Sequence, residues 1–207
     1  MAIGIGPDIK EAIQEVGTGY TIVDIGVSGE VLKSESNAQV TKPFIREFFL
    51  EAMMAYDTSG EVGNILEFER NQNRYVVMNI TDDIFENEVF RKNAVLYKCN
   101  INDGVLMRPS GEDNIRDTYH TQTHWSHITG EISALMTQPL FGNDPDTDEE
   151  LGRIGIERHE LYIPSSIGIQ ELDRFEAVSG EYYVVSEVIK RRYQSVDVVR
   201  LEEDQRE

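Results

Sequence analysis

Three histidines have the spacing in this chain that comes nearest to a chemical site. His120, His124 and His127 lie on either side of the single tryptophan, Trp125. On a helix these histidines would share one face and could bind zinc. On a strand, His120 and His124 would point to one side and His127 to the other. The threonine-rich surroundings favour a strand or loop, so we expect no metal here. A metal-dependent enzyme using these three histidines is the alternative from another functional class.

Other patterns that could support chemistry are incomplete. Alternating acidic residues between positions 144 and 150 are similar to the start of a calcium loop, but the EF-hand pattern needs glycine at its sixth position and glutamate at its twelfth. Those positions hold Glu149 and Gly155, which predicts a solvated acidic loop. No His-Glu-x-x-His pattern or complete phosphate-binding loop stands in the sequence. We therefore expect no enzymatic activity and no cofactor.

A basic and aromatic segment near the C-terminus is the candidate interface. It contains Tyr182, Tyr193 and the run Lys190-Arg191-Arg192. Aromatic residues and arginine are enriched at protein interfaces, and a basic patch complements an acidic partner such as another copy of this chain. The other interpretation is a solvated basic turn, with Tyr183 in the core and Tyr182 on the opposite face of its strand.

Composition narrows the class of protein. The 207 residues are 40% hydrophobic, which supports a packed core, and 38 acidic against 19 basic residues give a net charge of -19. Such a surface repels phosphate backbones, which disfavours sequence-specific nucleic-acid binding but lets DNA pass nearby. High solubility is the simpler explanation of the same charge. No apolar stretch is long enough for a membrane span, and residues 1–11 do not resemble a signal peptide. The single cysteine, Cys99, excludes an intrachain disulfide and is expected in a strand core.

The organisation of the chain is set by a pattern that occurs twice. Residues 66–69 with 73–77, and residues 173–176 with 180–185, each predict a β-hairpin. Phe68 and Phe175 are matched by this interpretation, seven residues before Tyr75 and eight before Tyr183. The two tyrosines are expected to anchor the core. The fold class is therefore mainly β: two tandem small β-barrel-like modules with a short N-terminal helix, in domains 1–101 and 102–207.

Other elements follow from periodicity. Residues 7–16 predict the helix, with Pro7 in its first turn and Gly17 at its end. Residues 43–56 fit either a helix or a strand, and comparison with the strand predicted at 156–163 favours a strand. Residues 81–93 and 110–118 are expected to be polar loops, and residues 124–129 and 132–137 two strands separated by Gly130. Residues 202–207 are expected to form a frayed charged tail.

The second module resembles a known family. About residues 152–204 are similar to the small β-barrel head-closure and head–tail joining proteins of tailed bacteriophages. The family pattern is a strand ending near a proline, a Gly-Asp-Arg segment, a Gly-x-x-Tyr-x-Val-x-x-Val hairpin strand and a final strand. The matching residues are Tyr162–Pro164, Leu172–Phe175, Gly180–Val188 and Val196–Leu201. Leu172 departs from the pattern, because the family commonly has glycine there. Residues 63–66 and 75–77 match more loosely.

This resemblance implies a structural virion protein, assembled in the host cytoplasm. It would be a neck, head–tail connector or head-completion subunit, forming a homo-oligomeric ring between portal and tail around the DNA channel. Its partners would be a portal or adaptor protein on one side and a tail-terminator or tail protein on the other. A viral tail or baseplate component with the same barrel is a second structural possibility. Apart from the resemblance, a small monomeric binding module of host origin is a further possibility.

Overall fold

A computed structural model describes residues 5–35, 48–114, 121–137 and 158–206 of the chain. The described part is mainly β, with one α-helix and twelve strands that form two closed six-stranded barrels. This confirms the predicted fold class. The chain divides into two compact units, one of residues 1–99 with 193–196 and one of residues 100–192 with 197–207.

The first barrel follows the only helix in the described residues. Helix α1 covers Ile5–Val16, and its buried residues are Gly6 and Ile13. It packs on β2, β3 and β6, and the Gly17 N–H donates to the Ile13 carbonyl at 2.8 Å where the helix ends. The strands are β1 (Thr18–Ile22), β2 (Val27–Glu35), β3 (Phe49–Ala55), β4 (Ile65–Phe68), β5 (Arg74–Phe85) and β6 (Glu88–Lys98).

The second barrel is built from the remaining strands. They are β7 (Ile101–Asn114), β8 (Thr121–Thr137), β9 (Arg158–Pro164), β10 (Arg174–Val178), β11 (Glu181–Ile189) and β12 (Val196–Glu203). The order around the first barrel is β1-β2-β3-β6-β5-β4, and that around the second is β7-β8-β9-β12-β11-β10. Adding six to each strand number of the first barrel gives the second, so the two barrels share one topology.

The two predicted hairpins are confirmed, but their alignment needs correction. Tyr75 in β5 pairs with Leu66 in β4, and Tyr183 in β11 pairs with Phe175 in β10. The residue equivalent to Phe175 is therefore Leu66, not Phe68. The register of a hairpin depends on the length of its turn. The paired core residues are nine apart in the first hairpin and eight apart in the second, whereas the sequence comparison made the first one residue shorter than the second.

Each barrel has its own apolar core because inward-facing residues alternate along its strands. Tyr75 is a buried core residue as predicted, whereas Tyr183 is half-buried at the edge of the second core. Fully buried side chains of the first core include Tyr20, Ile22, Leu32, Met54, Leu66 and Leu96, and those of the second include Leu106, Leu161, Ile163, Ile169, Phe175 and Leu201.

Two local predictions had different outcomes. The preference for a strand within 43–56 is confirmed by β3, which starts at Phe49. The loop predicted at 81–93 is wrong, since β5 and β6 continue to a two-residue turn at Glu86 and Asn87. Both turn residues have positive φ, of 48° and 69°, which suits the tight hairpin turns that match strand twist.

Two further loop or strand predictions are also corrected. Residues 110–114 belong to β7, and residues 121–137 form one strand, β8, instead of two. Gly130 does not end the strand, because the β7–β8 register shift takes up the irregularity there and Glu131 adopts a φ of 56°. The acidic segment at 143–150, residues 115–118, and His120 lie outside the described residues.

Candidate interaction surfaces

The histidines predicted as a weak metal cluster lie on β8. His124 is opposite Gly111 and His127 opposite Met107 in the β7–β8 ladder, and both are exposed. Their spacing of three on a strand points them to opposite faces. Among the described residues, which omit His120, no group of three or more His, Cys, Asp or Glu side chains is placed to hold a metal ion.

Trp125, between those histidines, belongs to a cluster of charged side chains. The Arg174 guanidinium carbon lies 3.9 Å from the centre of the indole ring and that of Arg206 lies 4.7 Å from it. Asp204 accepts hydrogen bonds from Arg174 Nε at 2.7 Å and from Arg206 Nε at 2.8 Å. We call Trp125, Arg174, Asp204 and Arg206 the C-terminal clamp. It corrects the prediction that residues 202–207 are frayed, since β12 and the clamp fix residues 202–206.

The clamp perturbs the acidity of its carboxylate. Burial raises the pKa of Asp204, but hydrogen bonds from Arg206 and Arg174 outweigh it and lower the pKa to about 2. Tyr182 also contacts the clamp, with the Arg174 guanidinium carbon 5.0 Å from its ring centre. Sequence reasoning missed the clamp because its members come from three separated segments: β8, β10 and the residues after β12. Cation–π contacts leave no spacing signal in a sequence.

The predicted interface patch is divided by the structure. Tyr182 lies near the start of β11, whereas the basic run follows the end of that strand. Eight strand residues span about 26 Å, so Tyr182 and Lys190 belong to different surfaces. We call Lys190–Arg192 the basic turn, and the half-buried Tyr193 follows it in the chain. Lys190 and Arg191 are exposed there, and Arg192 lies 3.9 Å from a Glu160 carboxylate oxygen.

A second surface, absent from the sequence prediction, is the end of the β5–β6 hairpin. Beyond Arg91, which pairs with both Asp83 and Ala55, these two strands pair only with each other in the described structure. We call residues 84–90 the arm tip. Ile84 is 64% and Phe85 50% exposed, and Glu86 and Glu88 are exposed beside them. The apolar pairs on either side of Glu86-Asn87 were the available sequence signal for a hairpin.

The base of the arm is fixed by polar contacts. Arg91 Nε donates to Asp83 Oδ2 at 2.5 Å, and Asn93 Nδ2 donates to the same oxygen at 2.9 Å. These two hydrogen bonds hold the pKa of Asp83 below its usual value. A carboxylate held between two donors across neighbouring strands fixes the register, so the tip extends from an ordered base.

A buried polar cluster in the first barrel has a structural role. The Glu30 carboxylate accepts hydrogen bonds from the Tyr20 hydroxyl at 2.5 Å, from the Thr58 hydroxyl and from the Ser59 N–H at 3.0 Å. Burial and the hydrogen bond to Glu30 raise the pKa of Tyr20. Burial raises that of Glu30 too, but its three donors outweigh it and lower the pKa. This cluster ties β1 and β2 to the turn after β3.

Cys99 lies immediately after β6 and is buried, in agreement with the expected burial though not inside the strand. Burial raises the pKa of its thiol to about 12. At neutral pH the thiolate is negligible, and the thiolate is the form that acts as a nucleophile or metal ligand. This cysteine is therefore a small apolar core residue.

Comparisons of the chain with protein-family models, curated proteins and solved structures gave no match. Within the described residues, no helix combines the length and apolar character that a membrane crossing needs. The resemblance to head-closure proteins thus stays a prediction, carried by the residues quoted for it.

Proposed function

We propose that this chain is a structural virion protein of a tailed bacteriophage, acting as a neck or head–tail connector subunit in a ring between portal and tail. The observation that carries the proposal is the arm: a tight hairpin with an ordered base and an exposed apolar tip. The Ile84 and Phe85 side chains are 64% and 50% exposed, so they contribute little to the stability of the isolated chain. Exposed apolar groups of this kind mark contact with another protein.

The closed barrels support an assembly role of this type. A closed barrel has no free sheet edge, so it cannot extend through edge pairing with a neighbour. Within the described residues, the arm, whose strands beyond Arg91 pair only with each other, and the exposed turns remain available for contacts. Ring subunits use such heterologous contacts, in which one patch meets a different patch on the next copy.

The net charge supports a position beside DNA without binding it. At -19 the chain repels phosphate backbones, which suits a wall along which DNA slides. Replacing acidic residues with Lys or Arg would favour adhesion of DNA, because each phosphate that a cation neutralises releases counterions.

The proposal is tested in the phage whose genome encodes the chain. Disrupting the coding sequence should yield DNA-filled heads and tails that stay separate, and added purified protein should restore infectious particles. Electron microscopy with an antibody against the protein should label the head–tail junction. Label on the distal tail or baseplate would assign the protein to that part of the virion instead. Intact infectious particles that lack the protein would overturn the proposal.

A further inference from the structure

The basic turn is the electrostatic exception in this chain. Lys190-Arg191-Arg192 is the only run of three consecutive basic residues in a sequence with a net charge of -19. Two such chains repel each other at long range, so a stable contact between copies needs a local patch of opposite charge. The basic turn provides that patch, because Lys190 and Arg191 are exposed there, whereas Arg192 lies near the carboxylate of Glu160.

The arm tip has the complementary chemistry. Glu86 and Glu88 are exposed there, and residues 84–90 contain no Lys or Arg. The nearest cations along the chain are Arg91, bound to Asp83, and Lys92, which pairs with Asp82 across the ladder. The tip thus joins an acidic pair to exposed Ile84 and Phe85.

We propose that the arm tip of one copy docks on the basic turn of a second copy. In this contact Glu86 and Glu88 face Lys190 and Arg191, while Ile84 and Phe85 lose their exposure against the half-buried Ile189 beside the turn. The contact is heterologous, so each copy uses its tip for one neighbour and its turn for another. This inference rests on the proposed ring and names the surfaces that would build it.

Charge reversal tests the contact in the full-length protein. A tip variant, Glu86→Lys with Glu88→Lys, and a turn variant, Lys190→Glu with Arg191→Glu, should each weaken self-association by at least about tenfold, measured by sedimentation velocity at low salt. The four-substitution variant restores opposite charges and keeps the net charge, so it should recover association. Wild-type association should fall as salt is raised.

The matched control separates local attraction from net charge. Glu11→Lys with Glu15→Lys, on the exposed side of α1, changes net charge by the same amount as the tip variant. General repulsion predicts that both variants associate more strongly than wild type, whereas docking predicts that only the tip variant is impaired. An unaffected tip variant, no recovery in the four-substitution variant, or a wild-type chain that is monomeric at every concentration would overturn the inference.

Failure of this contact is distinguishable from failure of the proposed function. Antibody label at the head–tail junction with unchanged association of the tip variant would keep the neck assignment and discard the docking surfaces. Tip-dependent association with no protein in the particles would keep the contact and discard the neck assignment.

Discussion

The two barrels follow one plan and differ at their polar positions. Leu66 and Phe175 occupy equivalent core sites, each paired with a tyrosine of the next strand. In the following strands, β5 and β11, each barrel has a β-bulge three residues after that tyrosine. The bulge places one extra residue opposite the partner strand, Met78 in β5 and Ser186 in β11. A bulge re-aims the strand and increases its twist, so its repetition indicates that barrel closure depends on it.

The difference lies where β1 and β7 leave the barrel. In the first barrel, Asp24 Oδ2 accepts from the Ile65 N–H at 2.7 Å and lies 3.4 Å from Asn64 Nδ2. In the second, the equivalent positions are Arg108 and Asp173, joined by two hydrogen bonds of 2.8 Å. The same backbone arrangement therefore holds an aspartate–asparagine pair in the first barrel and an arginine–aspartate ion pair in the second. This indicates that the core determines the topology, whereas the polar residues at the strand ends can differ.

The extended hairpins differ as well. The first barrel extends β5–β6 into the arm, whereas the second extends β7–β8, whose counterpart β1–β2 is short. Hairpin length can change without altering the barrel because the added residues pair only with each other. Each barrel therefore presents a different hairpin to its surroundings.

Truncating the shared core site should have the largest effect. Phe175 is fully buried, and a Cβ on Gly104 would come within 2.7 Å of its ring. We expect Phe175→Ala to lower the free energy of unfolding by about 3–5 kcal/mol, and the matched Leu66→Ala by about 2–5 kcal/mol. Urea denaturation followed by the fluorescence of Trp125 for the first variant and by circular dichroism for both measures this. A loss below 1 kcal/mol at either site would contradict their shared role.

Converting the ionic pair toward its counterpart should have the next largest effect. The Asp173 side chain is 1% exposed and that of Arg108 31% exposed. Removing one partner of a buried pair costs about 3–5 kcal/mol, and we expect about 2–3 kcal/mol for Asp173→Asn because Arg108 remains partly hydrated. Urea denaturation measures the loss.

The transplanted pair is the control for that substitution. Arg108→Asp combined with Asp173→Asn reproduces the Asp–Asn pair of the first barrel. Because the equivalent aspartate there accepts a backbone N–H, we expect the double variant to recover more than half of the lost stability. Stability that falls by the sum of the two single losses would show that the positions are not interchangeable.

The sequence predicted the hairpins because β-branched residues and turns alternate there at short range. It matched Phe68 instead of Leu66 with Phe175, a shift of two residues, because the length of a turn sets the register without a compositional signal. The sequence predicts a loop at 81–93 because polar and charged residues obscure the alternation of apolar side chains there. The clamp could not be predicted from the sequence because Trp125 and Arg206 are brought together only in the folded barrel.

Acid should release the clamp, a feature of the second barrel. The folded pKa of Asp204, about 2, lies below the ordinary 3.8. Its contribution to stability is present above pH 4 and is lost as the pH falls toward 2, an effect of up to about 2 kcal/mol. The fluorescence of Trp125 should change across that range, and Asp204→Asn should show the changed emission already at pH 7. A wild-type signal in that variant would contradict the clamp.

The smallest expected effect concerns one backbone position that the barrels share. The Gly63 and Leu172 N–H groups donate to Val77 and Val185 carbonyls, and the two residues have φ of 91° and 71°. Glycine adopts this conformation freely, whereas a side chain there costs about 1 kcal/mol. Since Leu172 is 62% exposed, we expect Leu172→Gly to be more stable than Leu172→Ala by about 1 kcal/mol in thermal unfolding. Equal stability of the two variants would mean that the positive φ at position 172 carries no strain. A leucine would then occupy the glycine position of the first barrel without a cost in stability.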